Sequence, residues 1–286
     1  MSRGRKGRVV SDGGPDAVLP RGGGTWGSML STGEFAAIRG AGFEPVGQVF
    51  GAAVYYLATV AGVSCPGTTG ASYPASDTGP AGRLAHSLLG GRRTALERMA
   101  AECAALGGHG IVGATLRATE IPATSLTAAA IEFTAAGTAV RASGGPPLAR
   151  PFSSELSGPD FAKLVLSGWV PAGIALGIAV AGLHDELVTT SSGSWGTGNA
   201  EVPTYTGLVS AARAGARDRL ELSVRGLGAD GVVVSALTLR VRSDRCHAHA
   251  AATDHFAEAV IAGTAVARIG GAKTGGPPPC LAVLSL

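Results

Sequence analysis

At 286 residues the chain is long enough for about two domains, each able to hold a modest core of its own. Only 15% of its residues are charged, glycine occurs 45 times and the formal net charge is +3. So small an excess argues against a nucleic-acid partner, and a surface this poor in charge points to burial in subunit contacts.

Residues 1–29 read as a flexible tail carrying Arg3, Arg5, Lys6 and Arg8, with no apolar run behind them that would make a secretory leader. A folded unit is expected over 30–142. It opens at Ser31-x-x-Glu34, where a hydroxyl at the N-cap and a carboxylate three residues on answer free backbone N–H groups, and the short helix ends near Gly42. Pro45 to Val60 follows as a long apolar strand with bending glycines. The main helix carries Leu96, Met99, Cys103 and Leu106 on one stripe, and Leu106-Gly107 closes it with a left-handed cap. Two strands, Ile111 to Thr119 and Ala130 to Arg141, complete the unit as a hairpin.

Residues 143–155, with Gly144-Gly145-Pro146-Pro147 and Pro151, read as a linker. The same order then recurs over 156–269, from the cap Ser157-x-x-Asp160 through a strand over Pro171 to Leu183. The second main helix places Ala212, Ala216, Leu220, Val224 and Leu227 on its apolar face, and strands at Val232 to Arg242 and Phe256 to Ile269 follow. Residues 270–286 form a Gly- and Pro-rich tail with an apolar end that we leave unassigned.

The recurrence is a duplication. Leu30-Ser31, Gly42-Phe43, Pro45, Gly47, Gly51 and Ala53-Val54 reappear 126 positions later as Leu156-Ser157, Gly168-Trp169, Pro171, Gly173, Gly177 and Ala179-Val180. The pair Leu106-Gly107 and Leu227-Gly228 is offset by 121, and Gly137-Thr138-Ala139-Val140 and Gly263-Thr264-Ala265-Val266 by 126 again. The first copy is therefore longer before its main helix and the second is longer in its hairpin, where length is tolerated. The uncharged stretch 164–183 has the length of a membrane span, but its counterpart in the first copy contains Arg39, Glu44 and Gln48, so no span is expected.

At Leu106 to Gly113 (LGGHGIVG), at Leu227 to Val234 (LGADGVVV) and at the GTAV element present twice, the chain resembles the YbjQ-like family of small bacterial proteins. Leu89-Gly90-Gly91-Arg92 is similar to a G-G-R segment that the family carries ahead of its helix. The resemblance implies two dodecin-like β-α-β-β units of α+β class, each with an antiparallel sheet, one main helix and here an extra short N-terminal helix. It also implies assembly about a five-fold axis and a heavy-metal-binding label. His109 stands where the family has an aspartate, which the second copy keeps as Asp230.

The metal-like cluster is Cys246, His247, His249, Asp254 and His255. Extended backbone would put His247 and His249 on one face, with His255 returning across the hairpin, a set suited to a divalent transition metal. The other reading is a polar exposed hairpin, and the first copy has no ligand at the equivalent place. Cys103 matches Val224 of the buried stripe and reads as a core thiol; His109 follows the helix cap with no Ser, Cys or carboxylate spaced to make it an acid or base, and its counterpart Asp230 reads as a turn residue. Phe43 and Trp169, at matched positions beside a proline, are the aromatic anchors expected in the core or at an oligomer interface.

No nucleophile, base and orienting group can be assembled, so an enzyme is not expected. Four cysteines, Cys65, Cys103, Cys246 and Cys280, without C-x-x-C spacing fit a reducing cytoplasm. The expectation is a cytoplasmic, non-enzymatic structural or interaction protein that partners itself in a homo-oligomeric ring or cage and needs no cofactor. Heavy-metal binding at the hairpin of the second copy is the alternative.

Overall fold

The computed structural model describes residues 27–58, 72–73, 79–121, 128–144, 150–185, 201–246 and 252–269. The first repeat contributes α1 (Thr32–Gly40), β1 (Phe43–Ala58), β2 (Ser72–Tyr73), α2 (Gly79–Ala105), β3 (Gly110–Ile121) and β4 (Ala128–Ala142). The second contributes β5 (Phe152–Ser153), α3 (Gly158–Leu166), β6 (Trp169–Asp185), α4 (Pro203–Gly226), β7 (Gly231–Arg245) and β8 (Thr253–Arg268). The fold is α+β with two four-stranded sheets, ordered β1-β4-β3-β5 and β2-β6-β8-β7. The long strands pair antiparallel in both.

Both short helices start as their sequences direct. Ser31 accepts from the Glu34 N–H while the Glu34 carboxylate accepts from the Ser31 N–H, and at α3 the Ser157 hydroxyl accepts from the Asp160 N–H. Each main helix ends on a glycine with positive φ, Gly107 at 68° and Gly228 at 65°, where a side chain would strain the backbone. Leu106 and Leu227 lie beyond the helices and stay partly exposed; the buried faces are instead Leu88, Ala95, Met99 and Cys103 on α2, and Leu208, Ala212, Ala216, Leu220 and Val224 on α4.

The G-G-R segment does not precede the main helix: Gly90, Gly91 and Arg92 lie inside α2. A Cβ at Gly91 would sit 2.2 Å from the Phe133 ring, so close packing on β4 decides the residue there against its poor helix propensity.

Two short strands go unseen in the sequence because each pairs across the repeats. Strand β5, within the expected linker, runs parallel to the start of β3, and β2 adds to the edge of β6. The repeats are thereby stitched into stacked layers, in the order first sheet, α2, second sheet, α4. Odd-numbered β1 residues face α2, with Gly51 pressed against the Ala95 carbonyl and the Met99 N–H, and Gly177 of β6 meets Ala216 and Leu220 of α4 in the same way. The far side of β6, with Ile174, Leu176, Ile178 and Val180, is buried in the cluster built around α2.

Candidate metal centre

The second sheet reaches further than its counterpart. Strand β3 pairs with β4 up to Ile121 and Ala130, whereas the equivalent ladder in the second repeat continues from Arg242 and Phe256 to Arg245 and Thr253. Asp254 and His255 are therefore strand residues and not part of a loop. Cys246 follows β7 directly, and its N–H donates to the Ala252 carbonyl at 3.0 Å, closing the ladder.

Cross-strand register sets Asp254 opposite His184 of β6. The His184 ring is fully buried and its Nδ1 lies 2.6 Å from the Asp254 carboxylate. Cys246 is a buried free thiol, and one ligand-type atom from each of His184, Cys246 and Asp254 falls within 4.8 Å of the others. A nitrogen, a sulfur and a carboxylate oxygen form a donor set of the kind zinc and related borderline ions take, with bonds of about 2.0–2.3 Å. The hydrogen bond to Asp254 orients the imidazole, as carboxylates do for metal-bound histidines.

Strand alternation sends His255 to the opposite face. There Nε2 meets the Tyr205 hydroxyl of α4 at 3.0 Å and Nδ1 meets the Ser243 hydroxyl at 2.8 Å, with the Tyr205 ring edge-on. The structure thus brings Cys246 and Asp254 together and places His255 apart from them; His247 and His249 lie outside the described residues. His184 was missed by sequence reasoning because only the ladder register relates it to a cysteine 62 positions away. In the first repeat the same rung pairs Ala58 with Ala128, two residue types that carry no ligand atom in the side chain.

The other singled-out residues have structural partners. Phe43 packs edge-on against Phe152 and Phe161 at 6.2 and 5.1 Å, and Trp169 is buried under the Arg268 guanidinium, both in the cluster that joins α1, α3 and the sheets. Burial pushes the Cys103 thiol up to about 11, which keeps it protonated. His109 Nδ1 accepts the Ala142 N–H at 3.2 Å, and the Asp230 carboxylate accepts the Arg268 N–H at 3.0 Å. Residues 142 and 268 are repeat equivalents, so histidine and aspartate do one job in the two copies.

Between the sheets lies a cavity of about 200 Å³ with a charged lining that includes Arg92, Glu155, Arg240 and Glu258. Burial lowers the Arg92 pKa against the opposing pull of Glu258, and raises that of Glu155 against a hydrogen bond from Ser235. Among the described residues no helix is long and apolar enough to cross a membrane.

Residues 46–143 match the YbjQ family, described as "Putative heavy-metal-binding". An encapsulin nanocompartment protein of Mycobacterium tuberculosis is 33% identical over 257 residues, covering 86% of this chain and 87% of that protein. No solved structure matches the chain. With the family match on the first repeat, and a relative that spans nearly the whole length of the pair, the chain belongs to the YbjQ-like family as a tandem two-repeat member.

Proposed function

We propose that this protein is a self-assembling structural component of a protein compartment. The observation that carries the reading is an uncovered sheet face. On β1 the residues pointing away from α2 include Phe50, Val54 and Tyr56, which are 50%, 57% and 79% exposed. The equivalents of Phe50 and Val54 on β6, Leu176 and Val180, lie under α2. A contiguous apolar patch of this kind is unusual on a monomer and marks an association surface. The relative named for an encapsulin nanocompartment supports the same reading, as does the β-α-β-β order of each repeat, which the dodecin-like unit shares. Size-exclusion chromatography with light scattering on the full chain tests it, with particle images giving ring or closed shell. A discrete multimer at micromolar concentration is expected, and a monomer ends the proposal.

A second reading rests on the His184, Cys246 and Asp254 cluster: a site for a zinc-like heavy metal, held by the imidazole nitrogen and the thiolate with the carboxylate completing or orienting the set. Binding would release the thiol proton, so affinity should rise with pH. Titration with Co(II) reads the thiolate charge-transfer band directly. The band is expected in the native protein, absent in C246S and much weakened in H184A. Loss of metal only in a H247A/H249A double variant would move the site to the hairpin and overturn this assignment.

A further inference from the structure

The two repeats touch through a surface that has two ends, and one chain uses only one of each. Helix α2 of the first repeat covers the outer face of the second sheet. The outer face of the first sheet and the outward side of α4 are the corresponding halves, and both are exposed. The sheet edges repeat the pattern: β2 crosses to pair with β6, and β5 crosses to pair with β3, whereas β1 and β7 end their sheets with no further strand among the described residues.

The charges follow the same register. Glu258, 7% exposed, sits opposite Val180 on the covered face and acts on Arg92 of α2 across the cavity. Glu132 sits opposite Val54 on the uncovered face, 126 positions earlier. Arg92 follows Gly91 on the sheet-facing side of α2. Arg213 follows Ala212 on α4, 121 positions later, in step with Ala95 and Ala216, Met99 and Leu220, and Cys103 and Val224. The sequence therefore keeps both members of the pair at the two surfaces that lack a partner in the chain. Arg213 is exposed, and Glu132 is partly so.

We infer that the contact between repeats is used a second time between chains. Helix α4 of one copy lies on the outer face of the first sheet of the next, over Phe50 and Val54, with Arg213 set against Glu132 as Arg92 is set against Glu258. Such a contact is heterologous, because the two surfaces differ, so copies add head to tail until the rotation closes a ring. It is more polar than the contact within the chain, since Thr206 and Ser210 on α4 stand where α2 has Ala85 and Leu89, as suits separately folded partners.

The inference rests on the self-assembly reading, and charge reversal in the full chain separates the two. R213E and E132R each place like charges across every contact and should weaken association by about tenfold or more, with unchanged melting of the folded unit. The double variant R213E/E132R should assemble again. In an equimolar mixture of the two single variants each chain can meet its opposite, so association should also recover, with closed rings where the number of chains is even. If the native chain is multimeric and the single variants assemble equally well, this contact is wrong while self-assembly stands. Failure of both the double variant and the mixture to recover overturns the pairing too. A monomeric native chain overturns both readings.

Discussion

Gly51 and Gly177 set the distance between helix and sheet in the two repeats. A Cβ at either position would lie 2.1 Å from a helix carbonyl, that of Ala95 or Ala216, and backbone on both sides cannot give way. Neither glycine needs a left-handed conformation, so the cost of Gly51→Ala is steric. We expect a loss of about 1–3 kcal/mol in chemical denaturation, the range typical of overpacking, and a similar loss for Gly177→Ala. The two glycines were visible in the sequence as a matched pair within apolar strands. The role shared by His109 and Asp230 was not, because a ring nitrogen and a carboxylate look unlike until they are seen accepting equivalent backbone N–H groups, those of Ala142 and Arg268. His184 was hidden for a related reason, since nothing local distinguishes a histidine at a strand end until a cysteine and an aspartate are brought beside it.

The order of helices and long strands was legible because caps, apolar runs and glycine stops act over a few residues. Ser157 illustrates how local that information is. Its hydroxyl accepts the Asp160 N–H at 3.3 Å and donates to the Asp160 carboxylate at 2.7 Å, at the start of a helix whose Phe161 and Leu164 are buried. Ser157→Ala should cost about 1 kcal/mol of stability by thermal melting, while Ser157→Asn, which caps as well, should cost little. Strands β2 and β5 escaped notice because two residues carry no periodicity and their partners lie in the other repeat. The extension of β7 and β8 past Arg242 and Phe256 escaped notice too, as alanine, histidine and aspartate are poor markers of strand. That extension turned an expected loop into the ladder that holds Cys246 and Asp254 in place.

At the scale of the molecule, four layers stack with a charged cavity between the sheets, and the seam carries Glu120 with Arg240 and Arg242. Glu155 enters this cavity with its pKa raised by burial. A carboxyl whose folded pKa exceeds its unfolded value weakens the fold when ionised, and stability is regained as pH falls through the folded pKa toward the ordinary glutamate range. Glu155→Gln should therefore raise the melting temperature near neutral pH and flatten that part of the stability profile; an unchanged profile would show the buried charge to be harmless. The duplication itself limits how chains can close on one another. Where both repeats of every chain share one head-to-tail circle, their total around it is even, so a circle of five single units would require the two repeats of each chain to lie in separate circles. Five chains sharing one circle would bring ten repeats, on a wider circumference that encloses a larger central opening.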